Sequence, residues 1–199
     1  MTGPGRGRPR DAGADRAILQ AALDVFIERG VEGSSIEQIA KRAGVGKPTI
    51  YRRWSSKEDL IAAAMETLIA EDAGWASPEQ VDVESPYELV EAAIESAAAA
   101  ATTPHYRALV ARVFGSAVSH PELMAVYWDR YILPRRRLAA RLLERAREHG
   151  TVADDADFDV AIDMMVGAIT YRVLQPNPPD TDEMRRYLRA VYHQIGLLP

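Results

Sequence analysis

Apolar residues recur at Ile18, Leu19, Ala22, Leu23, Phe26 and Ile27, a helical spacing that predicts one amphipathic helix beginning near Asp15 and stopped by Gly30. Next comes SSIEQIAKRAGVGKPTIYRRWSSKEDLI, residues 34–61. Ser34 with Glu37, and Ser55 with Glu58, each have the Ser-x-x-Glu spacing in which a hydroxyl and a carboxylate satisfy free amides of a first turn, so helices are predicted to start near 35 and 56. AGVG at 43–46 breaks the first of these, and Pro48 stands where proline is tolerated, in the first turn of a short new helix. The predicted order is helix, glycine turn, short helix, longer helix.

Residues 76–86, ASPEQVDVESP, read as a loop. Beyond it, helices are predicted at about 86–102, 105–119, 121–149, 157–175 and 181–196. Pro104 and Pro121 mark starts, Gly150 marks a stop, and QPNPP at 175–179 excludes helix between the last two. Pro134 should kink or divide the longest segment. Nothing alternates with period two over a useful length, and there is no internal repeat. The predicted fold is all-α. An N-terminal three-helix domain with a helix-turn-helix at 15–60 follows a flexible basic arm at 1–14, and a C-terminal helical domain occupies 61–199.

The 199 residues suffice for a sizeable core. The absence of cysteine excludes disulfides, thiolate catalysis and cysteine metal sites. The first fifteen residues lack the apolar core of a signal peptide, and no uncharged stretch is long enough to span a bilayer, so a cytoplasmic protein without membrane association is expected. The net charge of −5 conceals an uneven distribution. Residues 1–60 hold 11 Lys/Arg against 8 Asp/Glu, whereas 61–199 hold 13 against 21, so an acidic bulk follows a basic front. Within that front, residues 39–57 carry Lys41, Arg42, Lys47, Arg52, Arg53 and Lys57 with no acidic residue, which gives a local positive field.

Residues 35–54 have the proportions of a helix-turn-helix, whose second helix lies in the DNA major groove. Ile36, Ile39, Ala40, Val45, Ile50 and Trp54 can pack together and against Leu19, Leu23 and Phe26. That leaves Lys47, Thr49, Tyr51, Arg52 and Arg53, with Pro48 at the start of the same helix, free to meet another surface. Arginine pairs bidentately with guanine, a threonine methyl touches the thymine methyl, and lysine or tyrosine holds phosphate. An isolated Arg-Arg pair is more often a solvated surface charge. The glycine turn, the two capping boxes and the lack of acids favour DNA here.

From about Ala17 to Leu60, and above all in AALDVFIERGVEGSSIEQIAKRAGVGKPTIYRRWSSKEDLI, the chain resembles the TetR (tetracycline-repressor) family of bacterial transcriptional regulators. The resemblance implies that the helix at 47–54 enters the major groove and that Tyr51 and Lys57 contact phosphate. Gly46 departs from the family pattern, where serine or threonine is frequent. In the arm, RGRPR at 6–10 resembles an AT-hook core. Glycine allows close approach to the narrow minor groove of A·T-rich DNA, proline favours extension, and Arg6, Arg8 and Arg10 seek its negative potential. Such a short segment can also be a solubilising tail; its place just ahead of a DNA-binding helix favours DNA contact.

The same resemblance implies that the residues beyond about 75 form a ligand-binding and dimerisation domain. Residues 160–174, VAIDMMVGAITYRVL, are apolar almost all round, and such a helix needs cover on several sides. The candidate dimer interface comprises Ala161, Met165, Gly167 and Ala168 with Tyr187, Leu188, Val191 and Ile195 from the last helix; the alternative is a core helix in a monomer. A two-fold protein would place two reading helices about 34–36 Å apart and so read a palindrome. Trp75, Tyr106, Phe114, Met124, Tyr127, Trp128, Met164 and Met165 are candidate pocket residues, since apolar pockets use aromatics and adaptable methionines. Each is also an ordinary core residue type.

An enzyme would need a convergent nucleophile, base or metal set. Four scattered histidines and the lack of any HExxH or phosphate-loop motif argue against one. Asp154, Asp155, Asp157 and Asp159 lack an EF-hand's glycine and terminal glutamate. No metal or cofactor is expected. The sequence therefore points to a sequence-specific regulator of double-stranded DNA. The resemblance makes it a homodimeric repressor released from a palindromic operator by a small-molecule effector, and a regulator that takes no small molecule fits the sequence equally well.

Overall fold

The computed structural model describes residues 12–72 and 76–199, and all regular structure among them is helical. The all-α fold expected from the periodicity is the one that forms. The described residues up to Ala64 make one compact unit, and Met65–Pro199 make a second.

In the first unit, α1 (Ala12–Arg29) buries Ile18, Ala22, Leu23 and Phe26 along one face and ends at Gly30. Gly30 takes a left-handed φ of 71°, which glycine adopts without a Cβ clash. α2 (Ile36–Ala43) packs on α1 through Ile36, Ile39 and Ala40. At their rim both guanidinium Nη atoms of Arg42 reach the two carboxylate oxygens of Glu28 at 2.9 Å. Gly44, with φ 67°, then turns the chain, and the Val45 N–H returns to the Ala40 carbonyl at 3.0 Å. α3 (Lys47–Tyr51) has Pro48 in its first turn and Ile50, fully buried, as its anchor. Leu19, Val45 and Trp54 are half-buried. α4 (Lys57–Asp72) follows and buries Leu60 and Ile61.

Both predicted capping boxes shift by one residue. Ser35 caps α2: its Oγ accepts from the Gln38 N–H at 3.2 Å, while Gln38 Oε1 accepts from the Ser35 N–H at 3.1 Å. Ser34 is instead buried, and its hydroxyl donates to the Gly30 carbonyl at 2.6 Å. At α4, Ser56 Oγ accepts from the Asp59 N–H at 3.0 Å, and the Asp59 carboxylate accepts from the Ser55 N–H at 3.0 Å. Each start carries a serine doublet followed by two adjacent acceptor side chains, so spacing alone fits two registers. Burial of Ser34 selects between them at α2.

In the second unit, five helices take proline in their first turn, where the missing N–H costs nothing. They are α5 (Pro78–Val83), α6 (Pro86–Ala101), α7 (Pro104–Ser116), α8 (Pro121–Tyr127) and α9 (Leu133–Glu148), with Pro134 near the start of the last. α10 (Phe158–Val173) is capped by Asp157, whose carboxylate accepts from the Asp159 and Val160 N–H groups at 3.0 and 3.1 Å. α11 (Thr181–Gln194) has a capping box of Asp180 with Glu183. Val90, Ile94, Leu143, Ile162, Met184 and Leu188, drawn from α6, α9, α10 and α11, form the centre of the core.

One expectation is corrected here and another is given its form. The segment read as a loop contains α5, whose start is a Ser77–Gln80 capping box and whose single buried residue is Val81. Arg145 holds this short helix to α9 by donating to the carbonyls of Val81 and Glu84, the latter at 2.6 Å. Pro134, expected to kink or divide the long segment, follows directly on the point of division: a π-helical turn, Trp128–Ile132, separates α8 from α9, and in it the Leu133 N–H reaches back five residues to the Trp128 carbonyl. Proline has no N–H and its ring meets the carbonyl four residues earlier, that of Arg130, so the wider turn accommodates it.

Candidate functional site

α3 presents Lys47, Pro48, Tyr51 and Arg52 to solvent, with Thr49 half-exposed beside them. Tyr51 is 59% exposed. The fold thus brings these five of the predicted reading residues to one surface. It also sorts the cations that the sequence grouped together. Arg52 makes no ion pair among the described residues. Lys47 pairs with Glu37 of α2 at 2.5 Å, a hydrogen-bonded contact that holds the Glu37 carboxyl below its usual range and raises the lysine. Lys57 donates to the Val31 carbonyl at 2.8 Å, which fixes the start of α4.

Arg53 faces inward. Its guanidinium is closed on the Asp15 carboxylate of α1 and donates to the Thr49 carbonyl at 3.0 Å. It therefore braces the end of α3 against α1 rather than extending from the surface. Asp15 was not legible as its partner, because the two lie far apart in sequence. At Gly46 a Cβ would meet only Pro48 Cδ at 3.6 Å, so the fold does not demand glycine there, and α3 starts without a side-chain cap. Arg6, Arg8 and Arg10 lie outside the described residues.

The second unit holds a cavity of about 210 Å³ lined by residues of every helix from α5 to α11. Of the predicted pocket residues, Tyr106, Phe114, Tyr127 and Met165 line it. Met124, Trp128 and Met164 do not; Trp128 is 43% and Met164 50% exposed. Trp75 lies outside the described residues. Sequence reasoning missed Tyr192, Arg135 and Arg136, which also line the cavity, and among the described residues no carboxylate does so. Burial raises the phenol pKa of Tyr106, and pushes that of Tyr192 up to about 12. Arg136 is held by Asp159 at 2.7 Å and Asp163 at 2.5 Å and lies 5.7 Å over the Trp128 ring. Among the described residues no three ligating side chains converge on a metal position, and no helix is long and apolar enough to cross a membrane.

Residues 18–64 match the family model described as bacterial regulatory proteins, tetR family, and residues 85–191 match that of the tetracyclin repressor-like C-terminal domain. The chain belongs to the TetR family. It is 33% identical over 174 residues to the HTH-type transcriptional regulator YdeS of Bacillus subtilis (strain 168), an alignment that covers 85% of this chain and 82% of that one. A TetR-family regulator from Rhodococcus sp. has the same fold, with a TM-score of 0.76 at 18% identity over 94% of this chain and 100% of the other. So does the regulator FadR of Bacillus subtilis in complex with stearoyl-CoA, with a TM-score of 0.70 at 19% identity over 90% and 96%. This chain is accordingly a DNA-binding transcriptional regulator of the TetR type.

In this TetR-family chain the residues predicted for a dimer interface divide between two environments. Ala161, Met165 and Leu188 are buried within their own unit. Gly167 is exposed, and Ala168, Tyr187, Val191 and Ile195 are half-buried. The outward face of α10 is the stripe Val160, Met164, Gly167 and Tyr171, continued by Leu174 just past the helix end, at spacings of four and three residues. Val160 is 53% and Tyr171 71% exposed, and a Cβ placed on Gly167 would meet nothing within 4 Å.

Proposed function

We propose that this regulator acts in the cytoplasm as a homodimeric repressor, without catalytic activity, bound to a palindromic operator and released when a small, largely apolar molecule enters the cavity of its C-terminal unit. The observation that carries the reading is that cavity, set among the helices of the second unit and lined mainly by apolar side chains, in a chain whose other unit presents the reading surface of α3. A relative in fold holds stearoyl-CoA, which supports an apolar occupant here. The exposed apolar stripe of α10 supports pairing with a second copy, and a two-fold assembly reads two half-sites about 34–36 Å apart. Release follows if the ligand binds better to the arrangement that fits DNA less well, since a ligand shifts an equilibrium only by its differential affinity.

In this division of labour residues 1–14 serve as a basic arm, 15–60 read DNA, and 61–199 bind effector and dimerise. Arg52, Thr49 and Tyr51 meet the major groove, with Lys47, Pro48 and Lys57 near the backbone. Arg6, Arg8 and Arg10 add affinity from the minor groove without setting most of the specificity. The test is selection of bound sequences from random duplex DNA, then titration of the winner at several salt concentrations and with a ligand library. A pseudo-palindrome, steep salt dependence and ligand-driven release are expected. Enrichment of a single half-site with monomeric stoichiometry would overturn the dimer reading, and an operator-driven reporter that falls when the gene is deleted would overturn repression.

A further inference from the structure

Two phenols in the cavity are left without partners by the protein itself. Tyr106, near the start of α7, and Tyr192, near the end of α11, both line it. Neither hydroxyl makes a hydrogen bond among the described residues; the bond that Tyr106 does make is from its backbone N–H to Thr103 Oγ1 at 3.1 Å. Both residues are half-buried, and burial raises the pKa of each phenol. Drawn out of much of the solvent and left unpaired by the protein, these two hydroxyls are suited to a molecule that supplies a partner. At neutral pH both phenols are protonated and can donate, and the group that complements them is an acceptor oxygen.

The rest of the lining acts against charge. With no carboxylate among the described residues of the wall, a cationic ligand would lose its hydration without a counter-ion there. Anions fare little better, because Arg136 is already paired with Asp159 and Asp163, and Arg135 is itself engaged within the protein. We infer that the cavity selects an uncharged, largely apolar molecule bearing a hydrogen-bond-accepting oxygen of ketone or ester type, which Tyr106 and Tyr192 recognise as donors. The inference rests on the effector reading above and narrows it to a chemical class.

Three probes on one two-ring skeleton test it: diphenylmethane without an oxygen, benzophenone with a neutral carbonyl, and diphenylacetate with a carboxylate. Equilibrium dialysis against the full-length protein is expected to show benzophenone binding roughly three- to tenfold tighter than diphenylmethane, the contribution of one or two net hydrogen bonds, with diphenylacetate weakest. In the Tyr106→Phe, Tyr192→Phe double variant the ratio of the first two affinities should fall to about one. Phenylalanine keeps the ring, so a purely structural role would weaken both probes together and leave the ratio unchanged. An unchanged ratio, or tightest binding by diphenylacetate, overturns the inference while leaving the cavity as an effector site. If none of the three binds a protein shown to be folded, the effector reading falls and this inference with it.

Discussion

Arg53 of the reading segment and Asp15 of α1 form an ion pair in which the arginine side chain is only 10% and the aspartate 30% exposed. One of two adjacent arginines is thus committed to the frame, and its neighbour Arg52 is left to the surface. Asp15→Asn strands a nearly buried guanidinium. It should lower stability in urea unfolding by about 1–3 kcal/mol, as expected for a charge deprived of its partner. Equal stability of the variant and the parent would mean that water replaces the carboxylate.

Arg52→Ala should act differently. Expected is a loss of about 1–3 kcal/mol in operator binding together with relaxed preference at one base pair per half-site, and unfolding stability unchanged within ~0.5 kcal/mol. Arg53→Ala should leave the selected consensus as it was while weakening the fold. Repeating the sequence selection with each variant separates the two roles, and identical consensus changes would refute the division.

Glu37 competes with DNA phosphate for Lys47. Glu37→Gln removes that competition, so binding should strengthen and the plot of log Kobs against log salt should steepen by about one unit per protomer. An unaltered slope would show that Lys47 leaves Glu37 on DNA in the parent protein as well.

The outward stripe of α10 gives a prediction for assembly. Met164→Lys puts a charge at the middle of an outward apolar row whose members are about half exposed or more, so sedimentation should report monomers while circular dichroism stays that of the parent. Dimers that persist at micromolar concentration would move the interface elsewhere.

Alkali supplies a further test through Tyr192. Its pKa is about 12 in the folded chain against an ordinary 10, so the folded state holds the phenolic proton more tightly. The associated stability is intact below pH 10 and is lost as pH rises from about 10 through 12; it amounts to about 2–3 kcal/mol. Tyr192→Phe should flatten that part of the stability profile relative to the parent. Parallel profiles would show that the phenol titrates normally.

The local rules of the sequence carried the fold far. Periodicity and proline placement gave nearly every helix, and the AGVG turn with Pro48 located α3. The errors arose where local rules are degenerate. Ser34 and Ser35 can each cap the same helix, and only burial of Ser34 against the Gly30 carbonyl decides. At α5 the capping box of Ser77 with Gln80 stands beside a single buried valine, too weak a periodic signal to predict a helix in a stretch that reads as a loop. At the reading surface, the residue types were legible and their electrostatic commitments were not, since Asp15 and Glu37 reach their partners only through the packing of α1 and α2. In the cavity, aromatic and methionine content could not distinguish Met165, which faces inward, from Met164, one residue away and facing out.

The π-helical turn at Trp128–Ile132 gives this wall of the cavity a phase. The rod formed by α8 and α9 carries one residue more than α-helical winding would hold, so side chains beyond the turn are rotated by about 100° from where unbroken winding would place them. Tyr127 before the turn, Ile132 at its end and Arg136 after it face the same chamber with that offset in place. Deleting one residue between them would shorten the rod by only ~1.5 Å and keep both helices, yet it would turn one part of the lining away. A change of a single codon at this point can redraw the ligand chamber without touching a residue that lines it.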